Sequence, residues 1–371
     1  MLGRLLVVLA LALWTGSCAS TNAVDATTVL RELSDMPAAL REEGTVRNVV
    51  TWRHDGAALP ADLYVPTGTA PEAALLLAPG LGRDGRRDRR LLALARTLAR
   101  ARFAVLVPDV PSFQAQRVTA GDSAFLADAL RYLIHRPEGQ GPVGIAAVSY
   151  AVGPAILAAL EPDLAPRVDF VAAIGGYYDT NSVVTFFTTG YFRETPDAPW
   201  QHRTPNAYGK WVFVLANAER IENGFDRTSL AAMARRKLDN LDADISDLTM
   251  GLGPEGRAVV ALLTNTDPER VPALIAALPS AVRRDLQALS LAGRGLDHLG
   301  ARLILIHGRD DAIVPYTETL ALAHAAAPGH AHVALLDNLA HADLGPGGLA
   351  DAIRLWRAVY DLMQQRRAGA A

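Results

Sequence analysis

Three short segments of this 371-residue chain combine residue types that could do chemistry with positions at the ends of buried strands. In Gly144-Ile145-Ala146-Ala147-Val148-Ser149-Tyr150-Ala151-Val152-Gly153 an apolar run passes through a serine directly into helical spacing, so Ser149 must occupy a tight turn. Such a turn lifts the hydroxyl above the sheet edge. It also demands small residues two positions to either side, because strand and helix backbones nearly touch, and Ala147 and Ala151 meet that demand. The competing reading of Ser149 is an ordinary helix cap. The second segment, Ile306-His307-Gly308-Arg309-Asp310-Asp311-Ala312-Ile313-Val314-Pro315, offers adjacent carboxylates, which as a pair could equally form a solvated turn. The third, Leu335-Leu336-Asp337-Asn338-Leu339-Ala340-His341, ends a strand in a loop histidine. A serine hydroxyl is a poor nucleophile at neutral pH unless a histidine takes its proton and a carboxylate holds that imidazole in the right tautomer. Of the other histidines, His307 reads as structural within its turn, and His330 and His332 flank a strand start without metal-ligand spacing.

In this chain order the segments resemble the α/β-hydrolase superfamily, whose usual Gly-x-Ser-x-Gly is represented by Ala147-Val148-Ser149-Tyr150-Ala151. The resemblance implies Ser149 as nucleophile, His341 as base and Asp311, four residues after His307, as the orienting acid rather than Asp310. Asp179 is a second possible acid, since some members place it after an earlier strand. The loop Pro79-Gly80-Leu81-Gly82 resembles the family's His-Gly-x-Gly with Pro79 in place of His, which implies backbone N–H donors for an oxyanion at Leu81 and Tyr150. Asn338 stands where the family usually keeps a glycine before the histidine loop.

The activity implied is hydrolysis of carboxylic esters or related acyl bonds of a small-molecule substrate, through an acyl-enzyme. A serine at the elbow argues against the superfamily's Asp-dependent dehalogenases and epoxide hydrolases and its Cys-dependent dienelactone hydrolases. Two alternatives stay open: an acyltransferase or peptidase with the same triad, and a non-catalytic, ligand-binding member of the fold.

The elements that must position these residues alternate along the chain. Arg47 to Arg53 and Ala61 to Val65 flank His54-Asp55-Gly56 and read as a hairpin after a polar segment at 20–44. Buried strands and helices then alternate from Ala74 to Ile174, which predicts a mostly parallel sheet with helices on both faces. Over residues 179–300 the strand signal nearly vanishes, with helix starts at Asp267-Pro268-Glu269 and Pro279-Ser280. The α/β pattern resumes at Leu303. The expected fold is therefore α/β, an α/β-hydrolase core at 45–178 and 301–366 with an inserted helical cap at 179–300. Trp211 to Leu215, Val259 to Leu263 and Leu274-Ile275 could line an acyl pocket or form the cap's own core.

Half of the residues are hydrophobic, a fifth are charged and the formal net charge is −3, which suits a folded body and excludes long disordered tracts. No basic face emerges that would neutralise a run of phosphates, so nucleic acid is not an expected partner. The Arg-rich stretch Arg83 to Arg90 admits an anion-binding reading, but alternating Arg and Asp more often begin a solvated helix. Dinucleotide, P-loop and metal-ligand spacings are absent, and no cofactor or metal is expected. Arg4 and the apolar run Leu5 to Trp14 predict an export signal at 1–17, too short to span a bilayer. Thr15-Gly16-Ser17-Cys18 resembles a bacterial lipobox, which implies a lipidated Cys18, membrane attachment and a place in the cell envelope; cleavage after Ala19 is the alternative. Cys18 is the single cysteine, so no intramolecular disulfide can form.

Overall fold

Asp55 and Gly56 have φ of +47° and +78°. Two left-handed residues in succession make the turn whose twist matches a hairpin, and they join β1 (Thr45–His54) to β2 (Ala57–Pro66) in antiparallel register. The computed structural model describes residues 17–337, 339–340, 343–344 and 348–367. Residues 1–16, which carry the expected export signal, lie outside the described residues, as do Asn338 and His341.

Ahead of the hairpin, the segment read in the sequence as polar forms two helices, α1 (Ser17–Leu33) and α2 (Met36–Leu40), with Cys18 in the first turn of α1. The reason is a stripe of Ala23, Ala26, Leu30 and Leu33 at helical spacing, diluted by the polar residues of the other face. Ala26 and Val29 are buried in the main core.

After the hairpin come β3 (Ala73–Ala78), α3 (Arg89–Arg100), β4 (Phe103–Pro108), α4 (Pro111–Gln114), α5 (Asp122–Ile134), β5 (Val143–Val148), α6 (Val152–Ala159) and β6 (Phe170–Ile174). Residues 180–289 hold α7 (Thr180–Thr189), the short pair β7 (Tyr191–Phe192) and β8 (Gln201–His202), α8 (Tyr208–Asn217), α9 (Gly224–Asp239), α10 (Ser246–Thr249), α11 (Pro254–Thr264), α12 (Val271–Ala276) and α13 (Ser280–Leu289). The chain closes with β9 (Arg302–Gly308), α14 (Thr317–Ala325), β10 (Ala331–Leu336), the pair β11 (Leu339–Ala340) and β12 (Asp343–Leu344), and α15 (Leu349–Gln365). Among the described residues no helix is long and apolar enough to cross a membrane.

Eight strands form one sheet in the order β1-β2-β4-β3-β5-β6-β9-β10. The pairings β1–β2 and β2–β4 are antiparallel and all the others in this sheet are parallel. Parallel strands need both faces covered. Leucines and alanines of α5, α6 and α14 pack on one face, and α1, α3 and α15 cover the other. The helical segment between β6 and β9 has a separate core around Trp211, Val214, Met233, Leu262 and Val282. It is tied off at its neck, where the Leu291 N–H donates to the Tyr178 carbonyl (2.9 Å) and the Ser290 hydroxyl to Asp179 (3.1 Å).

Candidate functional site

The strand order reverses direction at β3: β4 lies on one side of it and β5 on the other. In open α/β sheets the loops leaving the carboxyl ends of the strands part at such a point and leave a crevice. Here those loops are Pro79–Gly82 after β3 and Ser149–Ala151 after β5.

Ser149 has φ +57°, a left-handed conformation that costs a non-glycine residue about 1–2 kcal/mol. The fold compensates by close packing around the turn. Ala147 and Ala151 are fully buried, and a Cβ added to Gly153 would lie 2.0 Å from the Tyr177 hydroxyl, so only glycine lets α6 approach. The sharp strand-turn-helix expected from the small residues is therefore present, and Ser149 lines the crevice.

The Pro79–Gly82 loop lies against this turn. A Cβ on Gly80 would stand 3.6 Å from the Val148 carbonyl oxygen, and the Gly82 N–H donates to the Phe113 carbonyl at 3.2 Å. Leu81 lines the same crevice as Ser149 and Tyr150. Tyr150 is held firmly. Its hydroxyl donates to Asp122 at 2.6 Å, and its ring stacks on Tyr177 and meets Phe113 edge-on. Burial first, then Tyr177 and the Asp122 charge, push the Tyr150 phenol well above its ordinary pKa, so it stays neutral and donating. Asp122 also accepts from the Ser112 hydroxyl (2.6 Å) and from the Thr119 N–H and hydroxyl (2.8 and 2.9 Å). This positioning carboxylate was missed in the sequence. Its only signal there is an acid at the start of a predicted helix.

The two adjacent aspartates separate clearly. Asp310 has a side chain 63% exposed, with Arg203 3.7 Å away, whereas Asp311 is 1% exposed. One oxygen of Asp311 accepts the Ile313 and Val314 N–H groups at 2.7 and 3.0 Å, and the other lies 3.4 Å from His307 Nε2. His307 is itself consumed. Its Nε2 faces the Val314 carbonyl at 3.0 Å and so carries the hydrogen, which leaves Nδ1 to accept from the Thr319 hydroxyl at 2.7 Å. Fully buried, it is a structural histidine as the sequence suggested.

Asp179 is instead the N-cap of α7, accepting from the Asn181 N–H (3.0 Å) and the Ser290 hydroxyl (3.1 Å). His341 falls outside the described residues. The chain leading to it packs against the turn after β9, since a Cβ on Gly308 would lie 1.7 Å from the Leu339 carbonyl oxygen.

Arg86, from the Arg-rich stretch, turns inward and pairs with Asp62 (2.5 Å) and Asp109 (2.7 Å), and Asp88 caps α3 through the Arg90 and Leu91 N–H groups. This much of the stretch is therefore structural. Among the described residues no group of three His, Cys, Asp or Glu is placed to hold a metal ion.

Ser149, Leu81 and Tyr150 border a cavity of about 600 Å³, inside the range of small-molecule sites. Val212 and Phe213 of α8 face it, while Val259 and Leu263 of α11 are spent on the core of the helical segment. On its other side the cavity reaches Val29, Leu30, Leu33 and Met36, residues ahead of the hairpin to which the sequence reading gave no part in the site.

No protein-family model matches the sequence, and no curated protein does. Solved structures do. An acylaminoacyl peptidase bound to Z-Gly-Gly-Phe-chloromethyl ketone superposes with a TM-score of 0.51 at 11% identity over 87% of this chain. The match spans 42% of the peptidase, so this chain corresponds to under half of that protein's length. The acylaminoacyl peptidase of Pyrococcus horikoshii gives 0.50 at 12% identity, over 88% of this chain and 41% of that one. A dienelactone hydrolase from Anabaena variabilis aligns over 86% of this chain and 98% of its own at 15% identity, with a TM-score of 0.46. At such identities the likeness speaks to the fold alone. The mostly parallel eight-stranded sheet, the strained serine turn after β5 and the likeness to the two peptidases together identify the chain as one with the α/β-hydrolase fold.

Proposed function

We propose that the protein is a serine hydrolase that cleaves carboxylic esters through an acyl-enzyme, with Ser149 as nucleophile, His341 as general base and acid, and Asp311 as the carboxylate that orients the imidazole. Ser149 Oγ attacks the acyl carbonyl while His341 takes its proton. The Leu81 and Tyr150 N–H groups receive the oxyanion, each such donor being worth about 3–4 kcal/mol in the transition state. The protonated imidazole then gives its proton to the leaving alcohol, and the released histidine activates water to free the acid and regenerate Ser149. The observation that carries this reading is the left-handed Ser149 at the reversal of strand order. A residue that only capped α6 would have no need of that backbone strain. The apolar character of the cavity favours an ester of an apolar acid over a peptide.

Labelling with a fluorophosphonate probe tests the reading. Native protein should be labelled, Ser149→Ala should not, and hydrolysis of a p-nitrophenyl ester by that variant should drop by at least about 10³-fold. A folded native protein that neither labels nor turns over any ester removes the proposal.

A further inference from the structure

The cavity at Ser149 has two arms with different walls. One lies under α7 and α8, where Thr180 and Tyr208 mix with Phe187, Val212 and Phe213. The other runs beneath the sheet, between Ala146, Ala172 and Ile304 on the strands and Leu33, Leu94 and Leu362 on the helices α1, α3 and α15. Apart from the stretch 83–90, every residue that α1, α3, α15 and the strands contribute to this second arm is apolar. Protein interiors are normally packed without such space, because an unfilled gap forfeits contacts on every wall. Here small side chains keep it open: Ala146 and Ala172 occupy the centre of β5 and β6.

We propose that this second arm is a binding site for an unbranched hydrocarbon chain, the acyl tail of a long-chain ester or thioester whose carbonyl rests at Ser149. The assignment rests on the reading of Ser149 as the nucleophile and names the substrate class of that site. Along the walls made by the strands and by α1, α15 and the rest of α3, a polar or charged acyl group would find no side-chain hydrogen-bond partner and would lose much of its solvation. A methylene chain loses nothing. The segment before the hydrolase core thereby acquires a role, since α1 supplies Val29, Leu30 and Leu33 as the wall facing the sheet.

The test uses the full chain with p-nitrophenyl acetate, butyrate, octanoate and dodecanoate, and measures dodecanoate binding by calorimetry separately from turnover. The kcat/KM should rise by about fourfold for each methylene that the arm takes in. Ala172→Phe, from the strand side, should cut the dodecanoate-to-acetate ratio of kcat/KM by at least tenfold. Leu94→Trp, from the helix side, should do the same if the first variant fails to fold, and either should weaken dodecanoate binding. A flat chain-length profile with Ser149-dependent turnover intact overturns the acyl site and leaves the hydrolase standing. A long-chain preference that neither variant alters puts the chain under α7 and α8 instead. If no ester is hydrolysed, the binding measurement decides: dodecanoate held by the native protein and lost in the variants supports the site, and no binding overturns it.

Discussion

The two faces of the central sheet are built from neighbouring residues of the same strands, yet one is filled and the other keeps a hollow beside β5 and β6. Ala147, Val171 and Leu305 point to α5, α6 and α14 and are 0% exposed, while Ala146 and Ala172 point to α1, α3 and α15 and remain 7% exposed at the middle of the molecule. The faces also differ in what holds their helices down. On the hollow face α1 is fastened at its rim by polar contacts. The buried Arg366 guanidinium donates to Asn22 and Asp25 and to the Ala101 carbonyl, each at 2.7 Å, and Trp356 Nε1 donates to Thr27 at 3.0 Å. Apolar packing alone seals one face, whereas on the other it is joined by a polar rim and leaves a gap beside Ala146 and Ala172.

The largest test of this contrast is Arg366→Met. If the rim holds the roof, removing one partner from a buried ionic network should cost about 3–5 kcal/mol, read as a lower urea midpoint. A neutral or stabilising result would mean that α1 is held by apolar contact after all, and the contrast would collapse.

The sealed face carries a buried carboxylate at the neck of the helical segment. One oxygen of Glu318 accepts both the Tyr178 and the Asp179 N–H, at 3.0 and 2.7 Å. Burial pushes its pKa up to about 7. The folded state therefore binds this proton more tightly than the unfolded chain, whose Glu titrates near about 4.3. Its contribution is fully present below that pH and is lost as pH rises to about 7. An amide oxygen can keep both N–H bonds without ionising. Stability measured for Glu318→Gln should accordingly lose the part of the slope between those values that belongs to Glu318, about 4 kcal/mol in all. An unchanged slope would show that the neck does not feel this charge.

The smallest effect is the most direct comparison. Ala173→Leu pushes extra volume into the filled face and should cost about 1–3 kcal/mol by overpacking. Ala172→Leu, one residue earlier and facing the space, should stay within about 0.5 kcal/mol. Equal losses from the two in thermal or urea unfolding would show that the hollow is already occupied by side chains in solution.

Much of the fold and part of the site could be read directly from the chain. Ala147 and Ala151 around Ser149 announce the turn because two backbones can touch only over small side chains, and Asp55-Gly56 announces the hairpin because its turn needs left-handed residues. Asp310 and Asp311 are a different case. Adjacent in sequence and equal in chemistry, they were separated there by likeness to a family, and in the structure by burial, since one is solvated and the other receives the Ile313 and Val314 N–H groups. Asp122 was not legible, because its link to Tyr150 joins residues 28 apart through side chains alone.

The sequence by itself determined the alternation of strands and helices and the elbow at Ser149, because each depends on local spacing and on backbone geometry imposed within a few residues, whereas Asp311 and His341 were singled out by likeness to a family. The tertiary structure alone decided that residues 17–33 roof the sheet, that Ala172 borders empty space while its neighbour Ala173 does not, and that the space opens at Ser149. Periodicity states which side of a strand is apolar. Whether that side is filled depends on side chains from helices hundreds of residues apart, and on the distance at which a polar rim holds them.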